Sequence, residues 1–395
     1  MKTRFQVPAR GVCFLIIILA TTMTLFAQAP VFRVLYSFHG GADGFKVWSG
    51  LAQDAVGNVY GTTYMGGLGP LCGFGCGTVW KLNTKTGVKV SVWKFGQRDG
   101  QWPMSGVVRD SHGNLYGTTP YGGANDCVWG AWMCGVLYVV SPSGTETVLH
   151  SFLGEDDGGF STSAPVIDTA GNIYGQADSC GIYRLGCIYK VDPSGVFSII
   201  YSFTGGADGG YPTGALLLDS AGNLYGTTGV IFKLDPSGNL TVLHSFLGGP
   251  EGARPIGDLT MDHQGNLYGV TSAGGDMSRC NTQGCGVLFK LDSNGVYQVL
   301  HSFQGINDLN GANGNLVLDA RGNLYGTTYG GGVYGYGDVY MLDPAGTYTT
   351  LHSFNLADGD FPSAGLIMDK LGNLYGTTLG GGAYNGGVVF KIRPH

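Results

Sequence analysis

Six acidic-glycine steps recur along the chain: Asp43-Gly44, Asp99-Gly100, Asp157-Gly158, Asp208-Gly209, Glu251-Gly252 and Asp358-Gly359, with Asp308 in a further copy of the same place. Carboxylates repeated at one position could form a ring that holds a cation or sugar hydroxyls. Asp-Gly is also ordinary turn chemistry that a repeat would copy, and a catalytic site normally breaks such symmetry. Residues that depart from the repeat are therefore the sharper candidates. Asp258 and Asn315 stand where other units carry Gly or Ala. They could hold a calcium ion or a polar ligand at a channel mouth, although solvated channel side chains would read the same way. Gln53 and Arg109 replace apolar residues in two further units. Trp102, Tyr211 and Phe361 each precede a proline, and Trp129 and Trp132 lie inside one cysteine loop. Exposed aromatics of this kind stack on sugars or anchor proteins; packing along a rim is the competing reading.

Cysteines supply the second kind of chemistry. Eight of the nine form four close pairs, Cys72 with Cys76, Cys127 with Cys134, Cys180 with Cys187 and Cys280 with Cys285. Zinc would call for C-x-x-C spacing or a nearby histidine, and neither is present. The pairs are expected to be local disulfides.

A short string positions all of these residues. Gly-Asn-x-Tyr-Gly recurs seven times, with its asparagines at 58, 114, 172, 223, 266, 323 and 373. An aspartate stands four residues before each, from Asp54 to Asp369. Every unit holds four apolar runs of about five residues, as in Leu216-Leu217-Leu218, Asn223-Leu224-Tyr225, Val230-Ile231-Phe232 and Val242-Leu243-His244. Runs that short, punctuated by Gly, Asn, Asp and Pro, read as strands. A repeat of this length made of antiparallel meanders indicates an all-β, seven-bladed β-propeller. The chain supplies a lone fourth run, Val34 to Phe38, near its start, and an incomplete set, Leu366 to Ile392, at its end. The first can complete the second and close the ring.

In such a meander the turns after the first and third runs share one end of the ring. The loops after the second and fourth share the other. The second group holds the length variation, the cysteine pairs and most loop aromatics, so binding is expected there. Blade 4 is an exception, because only Thr228-Gly229 joins its second and third runs. A notch in the rim should follow. His150, His244, His301 and His352 share a position on the fourth run, read as taken by Tyr36, Lys94 and Tyr201 elsewhere. A position that varies in this way does not suit a catalytic base.

Lys2, Arg4 and Arg10 precede an apolar stretch from Val12 to Phe26 and then Ala27-Gln28-Ala29. This pattern predicts a signal peptide over 1–27 and a propeller domain over 28–395, secreted or periplasmic, with no transmembrane segment in the mature chain. A monomer is expected. Glycine contributes 72 of 395 residues, and 43% of the chain is hydrophobic, enough for a core. Charged residues make up 12% and the net charge is −6, so there is no basic patch to suit nucleic acid. Nucleophile elbow, P-loop, H-E-x-x-H and dinucleotide motifs are absent from the sequence.

Taken together, GNLYGTT, the glycine-rich loop after it, VFKLD and VLHSF resemble the GloVer tandem-repeat proteins of bacterial cell envelopes over residues 31 to 395. The first two runs are also similar to NHL-type propeller repeats. The resemblance implies a secreted repeat protein without an assigned activity. Members often carry a C-terminal anchoring segment, whereas this chain stops at Lys391-Ile392-Arg393-Pro394-His395. The sequence favours a non-enzymatic binding scaffold for extracellular carbohydrate or protein. A calcium-dependent hydrolase or lyase at the channel mouth, by fold analogy, and a structural cell-envelope protein are the alternatives.

Overall fold

The computed structural model describes residues 29–67, 72–123, 127, 134–154, 157–278, 280, 283–305 and 312–394. The expected signal segment lies outside them. Strand β1 (Val31–Ser37) comes first and waits for the last blade. Blade 1 is β2 (Ala52–Gln53), β3 (Asn58–Thr63), β4 (Thr78–Asn83) and β5 (Lys89–Lys94). Blade 2 is β6 (Val108–Arg109), β7 (Leu115–Thr119), β8 (Val136–Val140) and β9 (Glu146–Ser151). Blade 3 is β10 (Val166–Ile167), β11 (Ile173–Ala177), β12 (Cys187–Val191) and β13 (Phe197–Ser202). Blade 4 is β14 (Thr213–Leu218), β15 (Leu224–Thr227), β16 (Val230–Leu234) and β17 (Leu240–Ser245). Blade 5 is β18 (Ala253–Met261), β19 (Leu267–Ala273), β20 (Val287–Leu291) and β21 (Tyr297–Ser302). Blade 6 is β22 (Ala312–Leu318), β23 (Leu324–Thr328), β24 (Asp338–Leu342) and β25 (Tyr348–Ser353). Blade 7 is β26 (Ile367–Met368), β27 (Leu374–Thr377) and β28 (Val388–Arg393), with β1 as its outermost strand. Each blade is one four-stranded antiparallel sheet.

The repeated string owes its residues to local chemistry. In blade 1 the Asp54 carboxylate accepts the Asn58 backbone N–H at 2.8 Å, the Asn58 side-chain amide at 2.7 Å and the Tyr60 hydroxyl at 2.9 Å. Burial would raise this carboxyl, but the Asn58 and Tyr60 donors outweigh it and hold the group below the usual carboxylate range. Gly57, at φ 92°, makes the turn that lets the three donors converge. The same set recurs in the other blades, from Asp110 through Asp369. The glycine that follows the tyrosine has a different cause. A methyl group on Gly61 would come 2.6 Å from the Trp80 ring, and on Gly226 2.6 Å from the Phe232 ring. In every blade a fully buried aromatic on the third strand covers this glycine, Tyr138, Tyr189, Phe289, Tyr340 and Phe390 being the others.

Polar bonds then join blade to blade. The Thr62 hydroxyl donates to the Ser105 carbonyl at 2.8 Å, and Thr118 donates to Ser163 at 2.8 Å. Gln176 donates to Gly214, Thr213 to Pro255, Thr260 to Leu316 and Thr327 to Ala364. Thr377 closes the circle on Ser49 at 2.9 Å. Covalent order is closed separately, by β1 pairing antiparallel with β28 from Val31↔Arg393 to Ser37↔Val388. The N-terminal strand thus completes the last blade. Histidines of the outermost strands stack on rings of the next blade: His150 on Phe197 at 3.9 Å, His244 on Tyr297 at 4.0 Å and His352 on Phe32 at 3.6 Å. No helix among the described residues is long and apolar enough to cross a membrane.

Candidate functional site

Residues on or just before the innermost strand of all seven blades line a cavity of about 450 Å3 on the ring axis. Small residues are prominent in its lining, including Gly50, Gly106, Gly214 and Gly365. Backbones approach closely here: a methyl on Gly257 would meet the Gly314 carbonyl at 2.6 Å. Asp258 and Asn315 both line the cavity, as neighbours on β18 and β22. The Asp258 carboxylate accepts the Ala215 N–H of blade 4 and a bond from the Asn315 side chain of blade 6. Burial raises the carboxyl, against the pull of those two donors. Asp258 is therefore both a polar feature of the wall and a tie across two blade junctions.

Calcium takes six to eight oxygen ligands. One carboxylate, already engaged by two donors, and one amide do not make that set. No cluster of three His, Cys, Asp or Glu side chains suited to a metal ion occurs among the described residues. The residues present do not fit a calcium site.

The loops after the outermost strands hold a feature that side-chain types conceal. Lys46, Trp102, Phe160, Tyr211, Arg254 and Phe361 each stand three residues after the acidic residue of their loop, and each has φ between 51° and 57°. Left-handed backbone at a bulky residue costs roughly 1–3 kcal/mol and persists only where the surroundings over-determine it. Here a bond to the preceding blade does so. The backbone N–H of Lys46 donates to the Gly386 carbonyl, Trp102 to Cys76, Phe160 to Cys134, Tyr211 to Leu185 and Phe361 to Tyr336. All five acceptors lie in loops between second and third strands. Blade 4 has only Thr228-Gly229 there, so Arg254 adjoins a blade without such a loop.

Two of these strained residues, Trp102 and Phe160, belong to a chain of aromatic rings. Trp48, which lines the cavity, lies 5.9 Å from Tyr64 between ring centroids. Tyr64 is 5.9 Å from Trp102, Trp102 5.4 Å from Tyr121, and Tyr121 5.3 Å from Phe160. All five rings are half-buried, leaving part of each open to solvent. A second group sits at the junction of blades 6 and 7, where Phe361 stacks on Tyr329 at 5.0 Å and meets Tyr336 at 5.9 Å. Asp178 occupies in blade 3 the place that Tyr64 and Tyr329 hold in theirs, and burial pushes its carboxyl up to about 6.

The structure sorts the remaining candidates. Tyr211 shares the strained position but is 57% exposed. Gln53 lies on β2 and Arg109 on β6, outside the cavity lining. The Arg109 guanidinium instead sits over the Tyr60 ring, 6.0 Å from its centroid, at the junction of blades 1 and 2. Trp129 and Trp132 fall outside the described residues. The four cysteine pairs are disulfides. Trp48, Tyr64, Tyr121 and Phe160 escaped the sequence reading. The constant three-residue offset from the acid would have found Phe160, and Lys46 and Arg254 with it.

The ring of acids proves to be loop chemistry. Asp43 accepts the Tyr36 hydroxyl at 2.9 Å, Asp208 the Tyr201 hydroxyl at 2.9 Å and Asp99 the Trp93 indole N–H at 3.1 Å. Asp157 and Asp358 pair with His150 and His352. These five carboxylates tie their loops to their outermost strands, whereas Glu251 accepts the Leu247 N–H within its own loop; Asp308 lies outside the described residues. Lys94 does not hold the histidine position. Trp93 faces Val79 just as His150 faces Leu137, so Trp93 is its equivalent.

No curated protein matches the sequence. Among solved structures the chain is similar to virginiamycin B lyase from Staphylococcus aureus (TM-score 0.61, 12% identity, 92% of this chain and 99% of that one). It is similar also to the extracellular domains of two further proteins from B. thetaiotaomicron, a putative hybrid two-component system and a putative one-component system. One is a hybrid system (TM-score 0.57, 14% identity, 92% of this chain and 41% of that one). The other is a one-component system by its description (TM-score 0.57, 12% identity, 91% and 39%). Identities this low establish a shared fold and nothing finer. The model of the Gloeobacter/Verrucomicrobia repeat matches residues 129–313 and 277–395, and with that match over most of its length the chain belongs to this repeat family.

Proposed function

We propose that this propeller is a non-enzymatic binding protein for extracellular carbohydrate, taken at the axial mouth and the aromatic arc of blades 1 to 3. Trp48 carries the reading, because it lines the cavity and begins the line of rings that reaches Phe160. Half-open rings suit the flat C–H faces of sugars. Asp258, Asn315 and the hydroxyl groups of the cavity wall offer bonds to sugar hydroxyls. A lining without Lys or Arg and a net charge of −6 favour a neutral glycan over a uronate chain. The four disulfides fit work outside the cytoplasm.

The test is titration calorimetry with neutral hexasaccharides of β-linked glucose, xylose and N-acetylglucosamine, beside a polygalacturonate fragment. At least one neutral hexamer should bind, and Trp48→Ala should weaken it about tenfold, roughly 1.4 kcal/mol. Silence across the neutral panel at millimolar concentration, or a Trp48→Ala protein that binds as well as the parent, rejects the carbohydrate reading.

A further inference from the structure

We propose that the Cys72–Cys76 disulfide is a positioning element for Trp102, the aromatic residue at the centre of the arc. The loop it closes belongs to blade 1, whereas Trp102 belongs to the loop that enters blade 2. Two carbonyls of the stapled segment hold that one residue. The Trp102 backbone N–H donates to the Cys76 carbonyl at 2.8 Å, and its indole N–H donates to the Gly75 carbonyl at 3.2 Å. The first bond holds a strained backbone, at φ 55°, and the second fixes the direction of the ring. Loss of both would let the residue relax to ordinary φ and carry the indole away from Tyr64 and Tyr121.

The acceptor segment is itself braced. Cys76 is fully buried, the Gly66 N–H donates to Phe74 and the Gly77 N–H donates to Gly66. Gly75 packs its backbone so closely on Gly66 that no side chain would fit there. The staple stands where the connection is long. Residues 64–77 join β3 to β4, whereas blade 6 makes the same latch, Tyr336 to Phe361, from the shorter connection 329–337 without cysteines. A longer loop has more conformations in which its carbonyls are misplaced, and a cross-link removes them. The second staple repeats the arrangement, since the fully buried Cys134 supplies the carbonyl for Phe160, the last ring of the arc.

The proposal rests on the carbohydrate reading only for its consequence in binding, so its test uses no ligand. The full chain, with 15N in the tryptophan indoles, is compared with a Cys72→Ala/Cys76→Ala variant, the Trp102 resonance being assigned from Trp102→Phe. Indole hydrogen exchange is followed at Trp102 and at Trp80, the fully buried tryptophan of blade 1, which carries the staple. Exchange at Trp102 should quicken at least tenfold while Trp80 holds its rate. A Cys280→Ala/Cys285→Ala variant, distant in the ring, should leave both unchanged. Equal Trp102 rates in the parent and the Cys72→Ala/Cys76→Ala protein overturn the proposal. So does a parallel rise at Trp80, which would make the staple a support of the blade rather than of the residue. A hexasaccharide titration of the same variant reports separately on the carbohydrate reading.

Discussion

Replacing Gly226 with alanine probes the most repeated contact in the molecule. The added methyl would lie 2.6 Å from Phe232 Cζ and 3.2 Å from a Leu216 methyl, in a core where Phe232 is fully buried. Gly226 does not adopt left-handed backbone, so alanine is acceptable there on conformational grounds and would by itself favour the strand by about 0.5 kcal/mol. Overpacking costs about 1–3 kcal/mol. The net expectation is a loss of about 1–2 kcal/mol. Phe232→Leu alone leaves a partial cavity and should cost roughly 1–2 kcal/mol. In the double variant the methyl enters space that the ring has vacated, so the two losses should not sum. A coupling of at least about 1 kcal/mol is expected. Equilibrium urea unfolding, followed by fluorescence and far-UV circular dichroism with coincident transitions, measures all four corners of the cycle. Additivity within about 0.5 kcal/mol would refute the reasoning and leave the motif glycine without this cause.

Two further outcomes are expected. Burial first, and the nearby Asp99 charge second, push the Glu146 carboxyl from 4.5 up to about 7, so the folded protein holds this proton longer than the unfolded chain does. Stability should therefore fall as pH rises from about 4.5 through 7, and Glu146→Gln should recover about 1–2 kcal/mol at pH 8 after allowance for solvent screening. The gain should vanish near pH 4.5; a gain of equal size at both pH values in thermal melts would contradict it. Because Asp258 and Asn315 do not fit calcium, neither millimolar calcium nor EGTA should shift the melting temperature, and a calcium-dependent rise of several degrees would restore the metal reading.

The seven blades and their closure were legible in the sequence because the asparagines from Asn58 to Asn373 mark them and the fragments at the two ends complement each other. The turn chemistry was legible for the same reason, since Asp54, Asn58 and Tyr60 meet within a few residues. The aromatic arc was not, because its contacts join neighbouring blades: Tyr64 meets Trp102 only after two sheets are stacked. The strained position was hidden differently. Its side chains run from Lys46 to Phe361 without shared chemistry, and what they have in common is a backbone angle. Asp258 was legible as a departure from the repeat. Its bond to Ala215 was not, because Ala215 belongs to another blade and donates through its main chain.

Blade 4 gives up its rim loop at Thr228-Gly229, and that omission alters what kind of object the ring is. A perfect seven-fold rotor looks the same after every step, so an asymmetric guest could settle on it in seven equivalent orientations. One gap abolishes that degeneracy. It gives the rotor a zero mark from which the other blades can be counted: three with staples and ring contacts before it, then one more stapled blade and two unstapled ones after. A guest chain with distinct ends can then run in a single sense, entering at one side of the mark and leaving at the other.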